Sequence, residues 1–156
     1  MQFQMVEFDV SALVEGVVGH FQQRAAAKQI VLHYSNEDAN TLIYADEQAM
    51  MQVLDNLVSN AVKYSPHGKN VFIRLKTSDS AVRMEVQDEG VGISAEDMKK
   101  LFGKFTRLSA RPTGGEHSTG LGLSIVKKMV EAMNGKVWCE SELGKGATFI
   151  VELPRA

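Results

Sequence analysis

Apolar residues recur at helical spacing in three stretches. Leu13, Val14, Val17, Val18 and Phe21 share one face, with Ser11 placed to cap a helix that runs to about residue 28. Met50, Val53, Leu54, Leu57, Val58, Ala61 and Val62 form a second face behind a capping Asp46, and Pro66 and Gly68 end that helix. Ile125, Val126, Met129, Val130 and Met133 form a third within 121–133, closed by Asn134-Gly135. Elsewhere apolar and polar positions alternate, which predicts strands at 8–10, 30–35, 42–45, 136–140 and 147–153. Two more, 70–78 and 81–88, join at Asp79-Ser80 as a hairpin. Ser94 and Asp97 make a capping box for a short helix ending near Leu101. Residues 106–119 carry Pro112, Gly114 and Gly115 without an apolar period and read as a loop, while 1–7 read as a linker remnant. The expected fold is α+β: a two-layer α/β sandwich with a mixed, mostly antiparallel sheet packed on about three helices.

A chain of 156 residues, 44% hydrophobic and 23% charged, suits one ordinary globular domain, here 8–154. The net charge of −2 gives no general attraction to nucleic acid or to an anionic membrane, so an anion site must be local. Cys139 is the single cysteine; it excludes an internal disulfide and a multi-thiolate metal site, and reads as a buried, inert thiol. No apolar run approaches the ~20 residues of a membrane span. A cytoplasmic setting is expected, with a parent protein that is membrane-anchored or not.

Three clusters carry candidate chemistry. Asn56 and Asn60 lie four apart late on the second helix and share a face, with Lys63 on the neighbouring row and Tyr64 after it. Asn disfavours helix interiors. Its carbonyl is a hard oxygen ligand suited to Mg²⁺, and Lys63 can neutralise phosphate; a solvated polar stripe is the plain alternative. Asp88-Glu89-Gly90-Val91-Gly92-Ile93 ends a strand and opens a loop. Its glycines permit close backbone approach, and Asp88 can accept a hydrogen bond from an exocyclic amine. A simple glycine turn competes with this reading. So does a dinucleotide fingerprint, Gly90-x-Gly92-x-x-Ala95, but the preceding hairpin and the basic region near Ala110 do not suit a βαβ unit. Finally, Thr119-Gly120-Leu121-Gly122-Leu123 opens the third helix, where unpaired N–H groups favour an anion; a hinge that merely starts a helix is the alternative.

In this order the clusters resemble the GHKL (Bergerat) ATP-binding superfamily, most closely its histidine-kinase branch. The stretch Leu101-Phe102-Gly103-Lys104-Phe105-Thr106-Arg107 resembles that branch's phenylalanine box, and Gly144-Lys145-Gly146-Ala147-Thr148-Phe149 its closing strand. The likeness covers nearly the whole chain.

The resemblance implies Mg-ATP as ligand. Asn60 and Asn56 are then the metal residues, Asn60, Lys63 and Arg107 the catalytic ones, and Lys63 and Tyr64 line the phosphate and base sides. Asp88 receives the adenine amine; Gly90, Gly92 and Ile93 shape the pocket floor; Phe102 secures the base of a lid at about 106–119. Arg107 reaches the terminal phosphate, and Thr119, Gly120, Leu121, Gly122 and Leu123 form the hinge and phosphate loop. Two positions depart from the pattern: Ser118 replaces a frequent glycine, and Ala147 a frequent Ser or Thr.

Related ATPases and serine kinases place a glutamate where this chain has Asn56, which cannot act as a general base. That favours phosphoryl transfer to a histidine. His20, His33, His67 and His117 all lack the acidic neighbour of the branch's acceptor, so the expected acceptor lies on a separate dimerisation domain, the fragment itself being monomeric and its parent a homodimer. A response-regulator receiver domain is the further expected partner. A GHKL ATPase or serine kinase, and a degenerate nucleotide- or partner-binding module, are the alternatives.

Overall fold

The computed structural model describes residues 2–38, 40–103 and 122–156. In it, β1 (Met5–Asp9), α1 (Val10–Ala27), β2 (Val31–Asn36), β3 (Leu42–Asp46) and α2 (Glu47–Tyr64) are followed by the hairpin β4 (Asn70–Thr77) and β5 (Ala81–Asp88). Then come α3 (Ala95–Lys99), α4 (Leu123–Ala132), β6 (Lys136–Ser141) and β7 (Ala147–Pro154). Five strands form one sheet in the order β2-β4-β5-β7-β6, and β1 and β3 pair separately as a two-stranded sheet. Only β2 with β4 is parallel; the other pairings are antiparallel. The chain is thus an α+β two-layer sandwich, with α1, α2 and α4 as its main helices.

One face of the sheet makes the core. Val71, Ile73 and Leu75 of β4, Val82, Met84 and Val86 of β5, and Phe149, Val151 and Leu153 of β7 are buried against the helices. The period-2 alternation in the sequence is this division of faces. The apolar stripes of α1 and α2 meet each other in the same core, and α2 also packs on α4 and β5. That location holds α2 between two helices and the sheet.

Several boundaries differ from the sequence expectation. Pairing begins at Met5, where Met5 stands opposite Asp46, so part of the segment read as a linker remnant is strand. The cap of α1 is Asp9, not Ser11: its carboxylate accepts from Ser11 N, and Thr41 adds a hydroxyl bond. Helix α4 starts at Leu123, behind Gly122 in the left-handed region at φ 68°. By contrast, Asp46 caps α2 by accepting from Ala49 N at 2.9 Å, and Ser94 caps α3 through Asp97 N at 3.2 Å, as their side-chain chemistry predicts.

Helix α1 ends without a glycine. Gln29 takes the left-handed conformation at φ 57°. Its N–H reaches Ala26 O (2.9 Å) and that of Ile30 reaches Ala25 O (2.9 Å), the paired bonds of a Schellman turn. Helix α4 ends the same way through Asn134, at φ 66°.

Candidate functional site

Asn56 and Asn60 lie one turn apart on α2, and the Asn60 side-chain N–H donates to Asn56 Oδ1 at 3.1 Å. Asn60 is only 7% exposed. The bond engages the carbonyl of Asn56 and the amide nitrogen of Asn60, which sets the Asn60 carbonyl as the oxygen directed away from the pair. Lys63 and Tyr64 are half-buried on the last turn of the same helix. Among the described residues no group of three His, Cys, Asp or Glu side chains is placed to hold a metal ion.

Two glycines bring the other clusters to this helix. A β-carbon on Gly90 would stand 2.8 Å from the carbonyl oxygen of Tyr64 and 3.1 Å from Asp88 Oδ1. The end of β5 therefore lies directly on the last turn of α2. A β-carbon on Gly122 would collide with the side-chain amide of Asn56. The start of α4 therefore lies on the asparagine face. Gly92, at φ 77°, packs on the carbonyl of Glu142, and Gly146, at φ 78°, on that of Asp88. Those contacts weld the Gly90–Gly92 loop to the β6–β7 turn.

Asp88 is 7% exposed at the end of β5. Its Oδ1 accepts from Gly90 N at 2.9 Å and Ala147 N at 3.3 Å. Burial lifts its carboxyl above the usual carboxylate value, and the two N–H bonds oppose that rise. Cys139 lies nearby in the core, its thiol pushed up to about 12 by burial first and then by the charge of Asp88. It is an inert packing residue.

Ala147 thus contributes by its backbone, while Thr148 points to the opposite face and is half-buried, opposite Gln87 and Glu140. Ile93 and Leu123 are buried at the rim of the two loops. Phe102 is half-buried against the core, with Lys127 Nζ 6.0 Å from its ring centre. Arg107, Thr119, Gly120 and Leu121, together with the expected lid at 106–119, lie outside the described residues.

The sequence reading missed two residues beside the site. Ser141 Oγ accepts from Ile93 N (2.9 Å) and donates to Gly146 O (2.7 Å), so one hydroxyl ties the Gly92-Ile93 turn to the β6–β7 turn. Lys28 is buried against the end of α2. A serine at a strand end and a lysine at a helix end carry no signal that separates them from solvated surface residues.

A buried carboxylate, an asparagine pair and two glycine turns gather on one helix of the α/β sandwich. The profile of the family described as histidine kinase-, DNA gyrase B-, and HSP90-like ATPase matches residues 45–156, and the chain belongs to that family. The sensor histidine kinase WalK of Bacillus subtilis is 40% identical over 119 residues, 75% of this chain and 20% of WalK. The catalytic domain of histidine kinase ThkA, in a nucleotide-free form, superposes with a TM-score of 0.86 at 29% identity, covering 98% of this chain and 97% of that one. ThkA has also been solved in complex with the response regulator protein TrrA, where the TM-score is 0.81 at 25% identity over 97% of this chain and 42% of that one. Full-length ShkA, solved in complex with AMPPNP, gives 0.85 at 32% identity over 100% of this chain and 32% of ShkA. The structural neighbours are histidine-kinase catalytic domains, and the chain spans about a fifth of the length of WalK. Among the described residues no helix is long and apolar enough to cross a membrane.

Proposed function

We propose that this chain binds Mg-ATP and donates the γ-phosphoryl group to a histidine on a separate dimerisation domain, for relay to a response-regulator receiver domain. One observation carries the reading: Gly90 rests on Tyr64 and Gly122 on Asn56, so three motifs distant in sequence meet on the last turns of α2. That the relative ShkA was solved with AMPPNP and ThkA with a response regulator supports both ends of the proposal.

Asp88 accepts the adenine amine on its carboxylate, with Oδ1 already fixed by two backbone N–H groups. Gly90, Gly92 and Ile93 form the floor beneath the base, Tyr64 lines its side, and Phe102 secures the base of the lid. Asn60 would hold Mg²⁺ through its carbonyl, and Asn56 orients it through the 3.1 Å bond. When bound, the cation would neutralise and align phosphate oxygens. Lys63 and Arg107 balance the remaining phosphate charge, while Thr119, Gly120, Leu121, Gly122 and Leu123 offer backbone N–H groups at the start of α4.

The acceptor imidazole forms the new N–P bond as the bond to the β-phosphate oxygen breaks and ADP leaves. Positioning and charge neutralisation drive such a step. Asn56 offers no general base, so water is not activated and hydrolysis is slow. His20, His33 and His67 are exposed, and none is followed in the sequence by an acidic residue. On this reading the acceptor lies on the separate dimerisation domain of a homodimeric parent, and this chain acts on it as a monomer without phosphorylating itself.

Calorimetric titration with ATP and ADP, with and without Mg²⁺, tests the pocket. Asp88→Asn should weaken binding by about 1–3 kcal/mol. A separate acceptor hairpin added to the ATP-bound chain should then become phosphohistidine. A folded chain that binds no nucleotide, or one that hydrolyses ATP steadily, would sink the proposal.

A further inference from the structure

The last four carbonyls of a helix lack partners within the helix. In α2 they are those of Ala61, Val62, Lys63 and Tyr64. Ala61 O accepts from Ser65 N at 3.1 Å. Tyr64 O is the wall against which Gly90 rests. Val62 O and Lys63 O both accept from Lys28 Nζ, at 2.6 and 3.2 Å.

Lys28 belongs to another element, the C-terminal cap of α1, and is only 5% exposed. Its own carbonyl accepts from Gly68 N at 3.0 Å, in the turn that follows α2. One residue thus clips both the end of α2 and its exit. The Schellman turn through Gln29 fixes the backbone from which Lys28 reaches inward.

A buried lysine is a costly way to satisfy two carbonyls that water could satisfy at an exposed helix end. An ammonium also favours a helix C-terminus, where the backbone dipole is negative. The turn so clamped is the one that presents Lys63 and Tyr64, and its Tyr64 carbonyl is the surface on which Gly90 rests. We infer that Lys28 is a positioning residue for nucleotide binding: it fixes the Lys63-Tyr64 turn from behind, and so sets where those two side chains meet the ligand. The inference rests on the proposed Mg-ATP site.

The test is calorimetric titration of Mg-ATP into the unsubstituted chain, Lys28→Met and Lys28→Arg, each first shown to be folded by its circular dichroism and cooperative unfolding. Lys28→Met should lose about tenfold in affinity, equivalent to ~1.4 kcal/mol, and Lys28→Arg should recover most of it. In a double-mutant cycle, the loss from Lys28→Met should shrink when Lys63 is already Ala. A merely structural lysine would show no coupling to Lys63. If Lys28→Met does not fold, the side-chain ammonium resonance of Lys28 in the unsubstituted chain should shift saturably with Mg-ATP, at the same midpoint as binding; no shift overturns the inference. Unaltered affinity in folded Lys28→Met overturns it alone, whereas no ATP binding by the unsubstituted chain overturns the parent proposal with it.

Discussion

Gly122 rests against the side-chain amide of Asn56, so close that a β-carbon at position 122 would occupy the space of the Asn56 nitrogen. Its φ of 68° adds a second reason for glycine. An alanine here meets a left-handed penalty of about 1–2 kcal/mol, and it must push Asn56 away from Asn60. Chemical denaturation should therefore show Gly122→Ala destabilised by roughly that amount. Mg-ATP titration should show a loss that is largely absent when Asn56 is already Ala. Full additivity of the two substitutions would mean that Gly122 and Asn56 do not act together.

Asp88 sets a pH dependence. Its pKa is raised in the fold, chiefly by burial, above the 3.8 of an ordinary aspartate. Between those two values the folded chain binds more protons than the unfolded chain, so Asp88 makes stability fall as pH rises through that window. Nucleotide binding runs the other way. As pH falls through the raised value the carboxylate gains a proton, and adenine affinity should decline at a pH above 3.8. In Asp88→Asn both pH-dependent steps should vanish, as read by titration and by denaturation at several pH values.

Ser141→Ala removes an acceptor for Ile93 N and a donor to Gly146 O. Two half-buried backbone groups then lose their partner, at a cost of about 1–3 kcal/mol in unfolding free energy. Amide exchange at Ile93 should accelerate more than at Met84 in the centre of β5. Equal acceleration at both would show that the hydroxyl does not brace the loop locally.

Gln29 sits left-handed at φ 57° where no side chain is favoured. Gln29→Gly should relieve a strain of about 1–2 kcal/mol, offset by about 0.4–1 kcal/mol of extra disorder in the unfolded chain. The expected net effect is a small gain in melting temperature. A clear loss would mean that the Gln29 side chain makes a stabilising contact of greater worth.

Much of the architecture was legible because periodicity and burial are the same fact. The stripes 13-14-17-18-21 and 50-53-54-57-58-61-62 are the buried faces of α1 and α2. The order of the strands was not legible. Nothing local makes β2 cross over to pair in parallel with β4, or sends β1 to β3 in a sheet of its own. The start of α1 was misplaced because Asp9 and Ser11 are both good caps, and the Thr41 hydroxyl that favours Asp9 comes from 32 residues away. The site showed the same division. Asn60 and Asp88 carry chemistry in their residue types, and each is buried and hydrogen-bonded. Lys28 and Ser141 act through geometry that only the folded chain creates.

On the outer face of the five-stranded sheet Ile150 is buried apart from the main core cluster. Ile150 is 2% exposed there, opposite Trp138 on β6. The indole N–H donates to Glu140 at 3.2 Å, and the guanidinium of Arg83 lies 5.0 Å from its ring centre. Trp138 is the only tryptophan in the sequence. The chain is thus supplied with a single, selectively excitable indole on the side of the sheet away from the helices that carry the asparagines. Its emission reads the integrity of the scaffold, so the stability of any site variant can be followed optically in the nucleotide-bound and nucleotide-free protein alike, without a label.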